Sequence, residues 1–275
     1  MLRMKNFTQQ ETQQIIDEYL QGKSRLKLAK EFEVSDTVIL RILRQNQIPI
    51  RTISQSNSVR KYNVNDEYFD IENSNMAYIL GFWAADGNVH STENRLDLEL
   101  AQDDLEILEK IQKEISNERP IKIYQCANGY IKNKLYFWSS HIKKKFIEYG
   151  IVPNKTYSSD FHAPYKLDRK FWIDYIRGFF DGDGCIKQTG GNGQYHYPQF
   201  ELNSLNLTFL QDIQKHFKEY YKIETYISTA GVRKGKEKLY RLYTSGEKAK
   251  EIFSILYTPN SLYLQRKYKR WLELI

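Results

Sequence analysis

The chain has 275 residues, with 41 Lys and Arg against 34 Asp and Glu for a formal net charge of +7; it is long enough for one large or two smaller domains, and its basic balance points to an acidic polymer such as nucleic acid as partner. The two cysteines, Cys126 and Cys185, lie far apart with no CxxC spacing, which argues against a disulfide framework or a zinc site. No apolar run approaches the roughly 18 residues a bilayer span needs, and "MLRMKNFTQQET" has no secretion-signal core, so the expectation is an intracellular protein, cytoplasmic or nucleoid-associated, that is neither secreted nor inserted in a membrane.

The first fifty residues read as three short helices. Thr8 and Glu11 in "TQQE" have capping-box spacing, and Ile15, Ile16, Tyr19 and Leu20 follow at helical period up to Gly22. Ser24 is placed to cap a second helix, in which Leu28 and Phe32 face inward and small Ala29 permits close approach, and Ser35 to cap a third, "DTVILRILRQ". "LAKEFEVSDTVILRIL" resembles the helix-turn-helix of resolvase-type DNA-binding domains, with Glu33 in the turn where a glycine is frequent. Burying Ile39, Ile42 and Leu43 would leave Asp36, Thr37, Arg41 and Arg44 outward, on the face that meets bases and phosphates. The alternative is a three-helix bundle with a solvated face.

Residues 51–72 read as a polar linker carrying Arg51, Arg60 and Lys61. Met1 to Val64 holds 11 Lys and Arg against 6 Asp and Glu, so much of the excess charge sits on the small domain and its tether. Beyond the linker the chain repeats itself. "AYILGFWAADG" aligns with "DYIRGFFDGDG", "LDLELAQDDLEILEKIQKEI" with "PQFELNSLNLTFLQDIQKHF", and "KLYFWSSHIKKKF" with "KLYRLYTSGEKAKEIF". Each copy reads as helix, two strands, amphipathic helix, two strands, helix. The expected architecture is therefore an α+β fold duplicated about a pseudo-two-fold axis, with repeats at 73–165 and 166–275, preceded by the small all-α domain at 1–50.

Each motif helix carries small residues four apart, Gly81 with Ala85 and Gly178 with Gly182, which lets two backbones approach closely. Phe82, Trp83, Phe179 and Phe180 would fill the cores to either side. Asp86 and Asp183 end the helices. A carboxylate at a helix C-terminus meets the negative end of the dipole at a cost of about 0.3–1 kcal/mol, and two side by side repel further. A divalent cation reverses both penalties, and oxygen-only ligands suit magnesium or manganese. Gly87 and Gly184 would supply the helix-ending conformation. The structural alternative is that each Asp-Gly is a plain helix cap and turn.

"ILGFWAADG" and "IRGFFDGDG" resemble the two motifs of single-chain LAGLIDADG homing endonucleases, a likeness that extends through "YGIVPNKT" and "YLQRKY". The first motif departs by having Ala84 where the second keeps Asp181. The resemblance implies two saddle-shaped antiparallel sheets laid along double-stranded DNA at a long target site, metal held by Asp86 and Asp183 with the carbonyls of Ala85 and Gly182, and a staggered cut with short 3′ overhangs. It also offers Lys155 and Lys267 as basic residues beside the reacting phosphate. Among polar residues of the types that pair with bases, Asn88, His90, Asn94, Lys187, Gln188, Gln194, Gln199 and Asn203 are candidates for groove reading. "HIKKK" resembles a phosphate-contacting run.

Two rival readings share this scaffold: a regulator that binds DNA without cutting, and an intron maturase that binds RNA. Retention of both acids favours the nuclease, and the helix-turn-helix favours duplex DNA over A-form RNA, whose major groove is too narrow for a helix. An embedded intein is not expected, since "MLRMKN" and "WLELI" lack the splicing nucleophile and His-Asn ends. The internal duplication suggests a monomer with no obligate protein partner.

Overall fold

The computed structural model describes residues 7–50, 62–190, 197–232 and 237–274. They form two compact units, Met1–Asn63 and Val64–Ile275. Among the described residues no helix is long and apolar enough to cross a membrane. Arg51, Arg60, Lys61 and Gln194 lie outside the described residues.

The first unit holds helices α1 (Gln9–Leu20), α2 (Arg25–Glu31) and α3 (Asp36–Gln45). At the start of α1, Thr8 and Glu11 form the reciprocal capping box, and Ser24 accepts from Lys27 N to start α2. Ser35 precedes α3 without a side-chain cap bond. Ile15, Leu28, Ile39 and Leu43 are fully buried together. Glu33 has φ of +54°, a left-handed conformation that glycine adopts more readily. Thr37, Arg41 and Arg44 are exposed on α3, while Asp36 sits 3.5 Å from Arg25.

The second unit begins earlier than residue 73, because Val64 and Phe69 are already buried in its core. Its first repeat runs α4 (Ser74–Asp86), β1 (Gly87–Val89), β2 (Arg95–Ala101), α5 (Leu105–Ile115), β3 (Lys122–Gln125), β4 (Ile131–Trp138) and α6 (Ser140–Glu148). The second runs α7 (Trp172–Asp183), β5 (Cys185–Thr189), β6 (Tyr197–Ser204), α8 (Leu207–Tyr221), β7 (Tyr226–Val232), β8 (Lys238–Ser245) and α9 (Glu247–Leu256), and a further helix α10 (Gln265–Leu272) follows. The sheets share one antiparallel order, β1-β2-β4-β3 and β5-β6-β8-β7.

Strand alternation puts Leu96, Leu98, Leu135 and Phe137 on the core face of one sheet, and Phe200, Leu202 and Leu242 on that of the other. Amphipathic α5 and α8 close these cores with Ile107, Leu108 and Ile111, and with Phe209, Leu210 and Ile213. Helices α4 and α7 are buried nearly all round. A Cβ on Gly81 would stand 1.9 Å from the Tyr175 carbonyl oxygen, and one on Gly178 1.9 Å from that of Tyr78. The helices therefore meet backbone to backbone, and only glycine fits at the crossing.

Candidate active site

Where the two helices end, the small-residue strip continues through Ala85 and Gly182. A Cβ on Gly182 would meet the Ala85 methyl at 2.4 Å and Asp86 Oδ2 at 3.0 Å, so the Asp86 carboxylate leans across onto the opposite helix. Gly87 and Gly184 differ from expectation. Both have ordinary extended backbone, with φ of −75° and −76°, so no left-handed turn calls for glycine. What excludes a side chain is packing: a Cβ would lie 2.0 Å from the Trp83 ring at Gly87 and 2.2 Å from the Phe180 ring at Gly184.

Asp86 and Asp183 both open to solvent. Although water reaches Asp86, the protein around it leaves its charge poorly solvated. Burial pushes its carboxyl up to about 6 and the Asp183 charge adds to this, against the opposing pull of Lys267 and Lys155. Those two lysines are held at matching places. Lys155 donates to the carbonyl of Gly87, just past the end of α4, and Lys267 donates to those of Phe180 (2.5 Å), Gly182 (3.3 Å) and Gly184 (2.7 Å) around the end of α7. Burial lowers both lysines, and Lys267, raised in turn by Asp181, stands at about 8.

The donor set available to a cation is oxygen alone: two carboxylates and the nearby carbonyls. Among the described residues no group of three or more His, Cys, Asp or Glu gathers to hold a metal. The arrangement fits a hard ion such as Mg2+ or Mn2+ that keeps water and phosphate oxygens in its shell, rather than a closed protein cage. The Gly182 carbonyl is shared with Lys267, so it is a weaker prospective ligand than the two carboxylates.

Asp181, a residue whose importance the motif alone does not reveal, is fully buried. It accepts from Tyr78 Oη (2.8 Å), Tyr257 Oη (2.9 Å) and the backbone N–H of Leu264 (2.7 Å), the residue that begins α10. Burial still raises its carboxyl to about 6.

The sheet faces that turn away from the cores carry the polar side chains. A hollow of about 580 Å3 lies between Ala85, Lys155, Asp183, Lys187, Glu201 and Arg241. Asn88 is exposed and pairs in register with Asp97 on this kind of face. His90 is bonded to Asp97 at 2.8 Å, Lys187 to Glu201 at 2.7 Å, and Asn203 to Glu201 at 3.0 Å. Gln199 pairs with Lys187 and is nearly buried. Asn94 lies exposed in the turn before β2, its carbonyl accepting from Ser139 N. Gln188 is a correction: it pairs with Pro198, on the face opposite Lys187 and Gln199, because strand side chains alternate with period two. The run "HIKKK" is also otherwise engaged, since His141 and Lys145 pair with Asp70 and Lys143 binds the carbonyls of Ser91 and Glu93.

Sequence reasoning passed over the carboxylates Asp97, Glu99 and Glu201 and their partners Arg95, Lys132, Lys134 and Arg241. The signal was present in "RLDLEL", where Arg95, Asp97 and Glu99 alternate with buried leucines. Burial works against the Glu99 carboxyl, but Lys132 and Tyr124 outweigh it and hold it at about 2.

Residues 73–117 and 172–256 match the family model of the LAGLIDADG-like domain. The second unit thus has the LAGLIDADG fold in duplicated form, one motif helix in each half. An uncharacterised protein of Methanocaldococcus jannaschii, MJ0314, is 27% identical over 177 residues, covering 62% of this chain and 62% of that relative, less than two thirds of its length. Among solved structures, the N-terminal LAGLIDADG domain of DUF199/WhiA is 17% identical over 71% of this chain and 90% of that one, with a TM-score of 0.43. Mesophilic variants of the homing endonuclease I-DmoI are 13% identical over 75% of this chain and 98% of theirs, with a TM-score of 0.45.

Proposed function

We propose that the protein is a site-specific DNA endonuclease that depends on a divalent metal and cuts both strands to leave short 3′ overhangs. One observation carries this reading: two repeats each deliver a carboxylate to one junction, where burial and the Asp183 charge raise Asp86, and half-buried Lys155 and buried Lys267 stand beside them. Asp86 and Asp183 would hold Mg2+ or Mn2+, which supplies Lewis acidity toward the phosphate and its attacking water. In the hydrolysis, the water oxygen bonds to phosphorus as the P–O3′ bond breaks. The water gives up a proton to solvent and the 3′-oxygen gains one, leaving a 3′-hydroxyl and a 5′-phosphate. Lys155 and Lys267 place positive charge against the crowded phosphate. The sheet faces would read the duplex through Asn88, Lys187, Gln199 and Asn203, and the first unit, as a helix-turn-helix presenting Thr37, Arg41 and Arg44, would lengthen the recognised site through its tether.

A second reading, a DNA-binding protein that does not cut, is favoured by a separate observation. Lys267 already occupies the carbonyls of Phe180, Gly182 and Gly184, which competes with any cation there. The two readings part on one experiment: incubation with a randomised duplex library and magnesium, followed by sequencing of broken ends. The nuclease reading expects a recurrent staggered break, lost by more than about a hundredfold in Asp86→Asn and in Asp183→Asn while the duplex is still bound. Retention of the duplex with no metal-dependent break would establish the second reading instead.

A further inference from the structure

The two lysines belong to segments that cross from one repeat to the other. Lys155 follows α6 of the first repeat, yet the same segment runs onto the second: Asn206, the residue that starts α8, donates through Nδ2 to the Phe161 carbonyl at 2.6 Å. The Phe161 ring also packs on Phe209 with centroids 4.9 Å apart. The reverse crossing occurs in the other copy. Arg266, beside Lys267 in α10, forms a two-pronged ion pair with Asp104 at 2.8 and 3.2 Å, and Asp104 starts α5 in the position that Asn206 takes before α8.

The acids lean the same way. Asp86 reaches across to Gly182, whose carbonyl Lys267 contacts. Lys155, Ala85 and Asp183 line a single hollow against the second sheet, and neither Asp86 nor Lys267 lines it. From this geometry we propose that the two half-sites are crossed: Lys155 of the first repeat acts with Asp183 of the second on one scissile phosphate, and Lys267 acts with Asp86 on the other. The inference rests on the nuclease reading and refines it, by stating which acid and which base serve the same strand. Asp181 is a positioning residue for the second pair alone, because it holds the backbone N–H of Leu264, where the helix bearing Lys267 begins. Its counterpart, Ala84, has no side-chain acceptor to offer Lys155.

The test uses the full chain and a duplex recovered from the library selection, labelled on each strand in turn and cut under single-turnover conditions with magnesium. Lys155→Met and Asp183→Asn are expected to slow the same strand by about a hundredfold, with the other strand slowed less than about threefold. Adding Lys155→Met to Asp183→Asn should cost that strand little more than Asp183→Asn alone, since groups acting as a unit are not additive. Lys267→Met and Asp86→Asn should pair likewise on the opposite strand, and Asp181→Asn should slow only that one. Pairing of Lys155 with Asp86, or equal slowing of both strands by either lysine variant, overturns the crossing while leaving the nuclease reading intact. A wild-type chain that cuts neither strand fails at the earlier step, and the two failures are thereby told apart. A second measurement needs no DNA: in the metal-free protein, Asp86→Asn should move the side-chain NMR titration of Lys267 more than that of Lys155, and Asp183→Asn the reverse. The opposite order also overturns the crossing.

Discussion

At the end of α7, Asp181 is buried with three donors aimed at it, whereas at the matching place in α4 the side chain is the methyl of Ala84, also buried. The helix crossing is nevertheless the same from both sides, with a carbonyl oxygen 1.9 Å from the would-be Cβ of Gly81 and of Gly178. The difference shows that the crossing is set by missing side chains, while the polar network centres on an acid of the second motif helix, draws in Tyr78 from the first, and serves the segment that begins at Leu264. In the first repeat the lysine sits on an irregular segment; in the second it sits in the first turn of a helix that Asp181 anchors.

The largest expected effect tests the shared part. Gly81→Ala and Gly178→Ala should each destabilise the second unit by more than about 3 kcal/mol, read by denaturant unfolding, because backbone atoms cannot move aside. A markedly milder loss at one glycine would show that the two faces of the crossing are not equivalent.

A second prediction separates the repeats by pH. His216 is buried among Trp172, Tyr220 and Tyr221, and neither ring nitrogen has a hydrogen-bond partner among the described residues. Burial, helped by the charge of Arg169, lowers it to about 4. A histidine lowered in this way binds its proton less readily folded than unfolded. Its contribution is therefore complete above the ordinary histidine value near 6.5 and is lost as pH falls toward 4, a span worth about 3 kcal/mol. The aligned residue of the first repeat is Glu114, half-buried and bonded to Asn75. His216→Phe should flatten the acid limb of the stability profile; an unchanged limb would assign it to other groups.

The smallest effect concerns the asymmetric network itself. Asp181→Ala leaves two hydroxyls and one backbone N–H without their acceptor, which should cost about 2 kcal/mol, part of the loss being offset because the buried carboxylate is itself poorly solvated. Tyr78→Phe and Tyr257→Phe should each cost less than the parent change, and thermal unfolding of the three variants orders them.

Local rules carried much of the reading. The capping box at Thr8, the alternation in "RLDLEL", the amphipathic helices and the duplicated order of elements follow from hydrogen-bonding and periodicity within a few residues, and they sufficed for the α+β class and its internal repeat. The small-residue strips likewise announced a close helix crossing, since an absent side chain has the same meaning wherever the partner lies. Other features depended on residues remote in the chain. Gln188 turned to the wrong face because register is fixed by pairing with Pro198. Gly87 and Gly184 are held by the rings of Trp83 and Phe180 rather than by a turn. Asp181 meets Leu264 and Lys267 meets Phe180 across more than eighty residues. Sequence by itself determined which elements form and that two acids end two paired helices, because those are matters of local period and side-chain size. Tertiary structure alone decided where the lysine-bearing segments lie, since the Lys155 and α10 segments reach the opposite repeat through contacts such as Asn206 with Phe161 and Arg266 with Asp104, and no pattern within either segment encodes its distant partner.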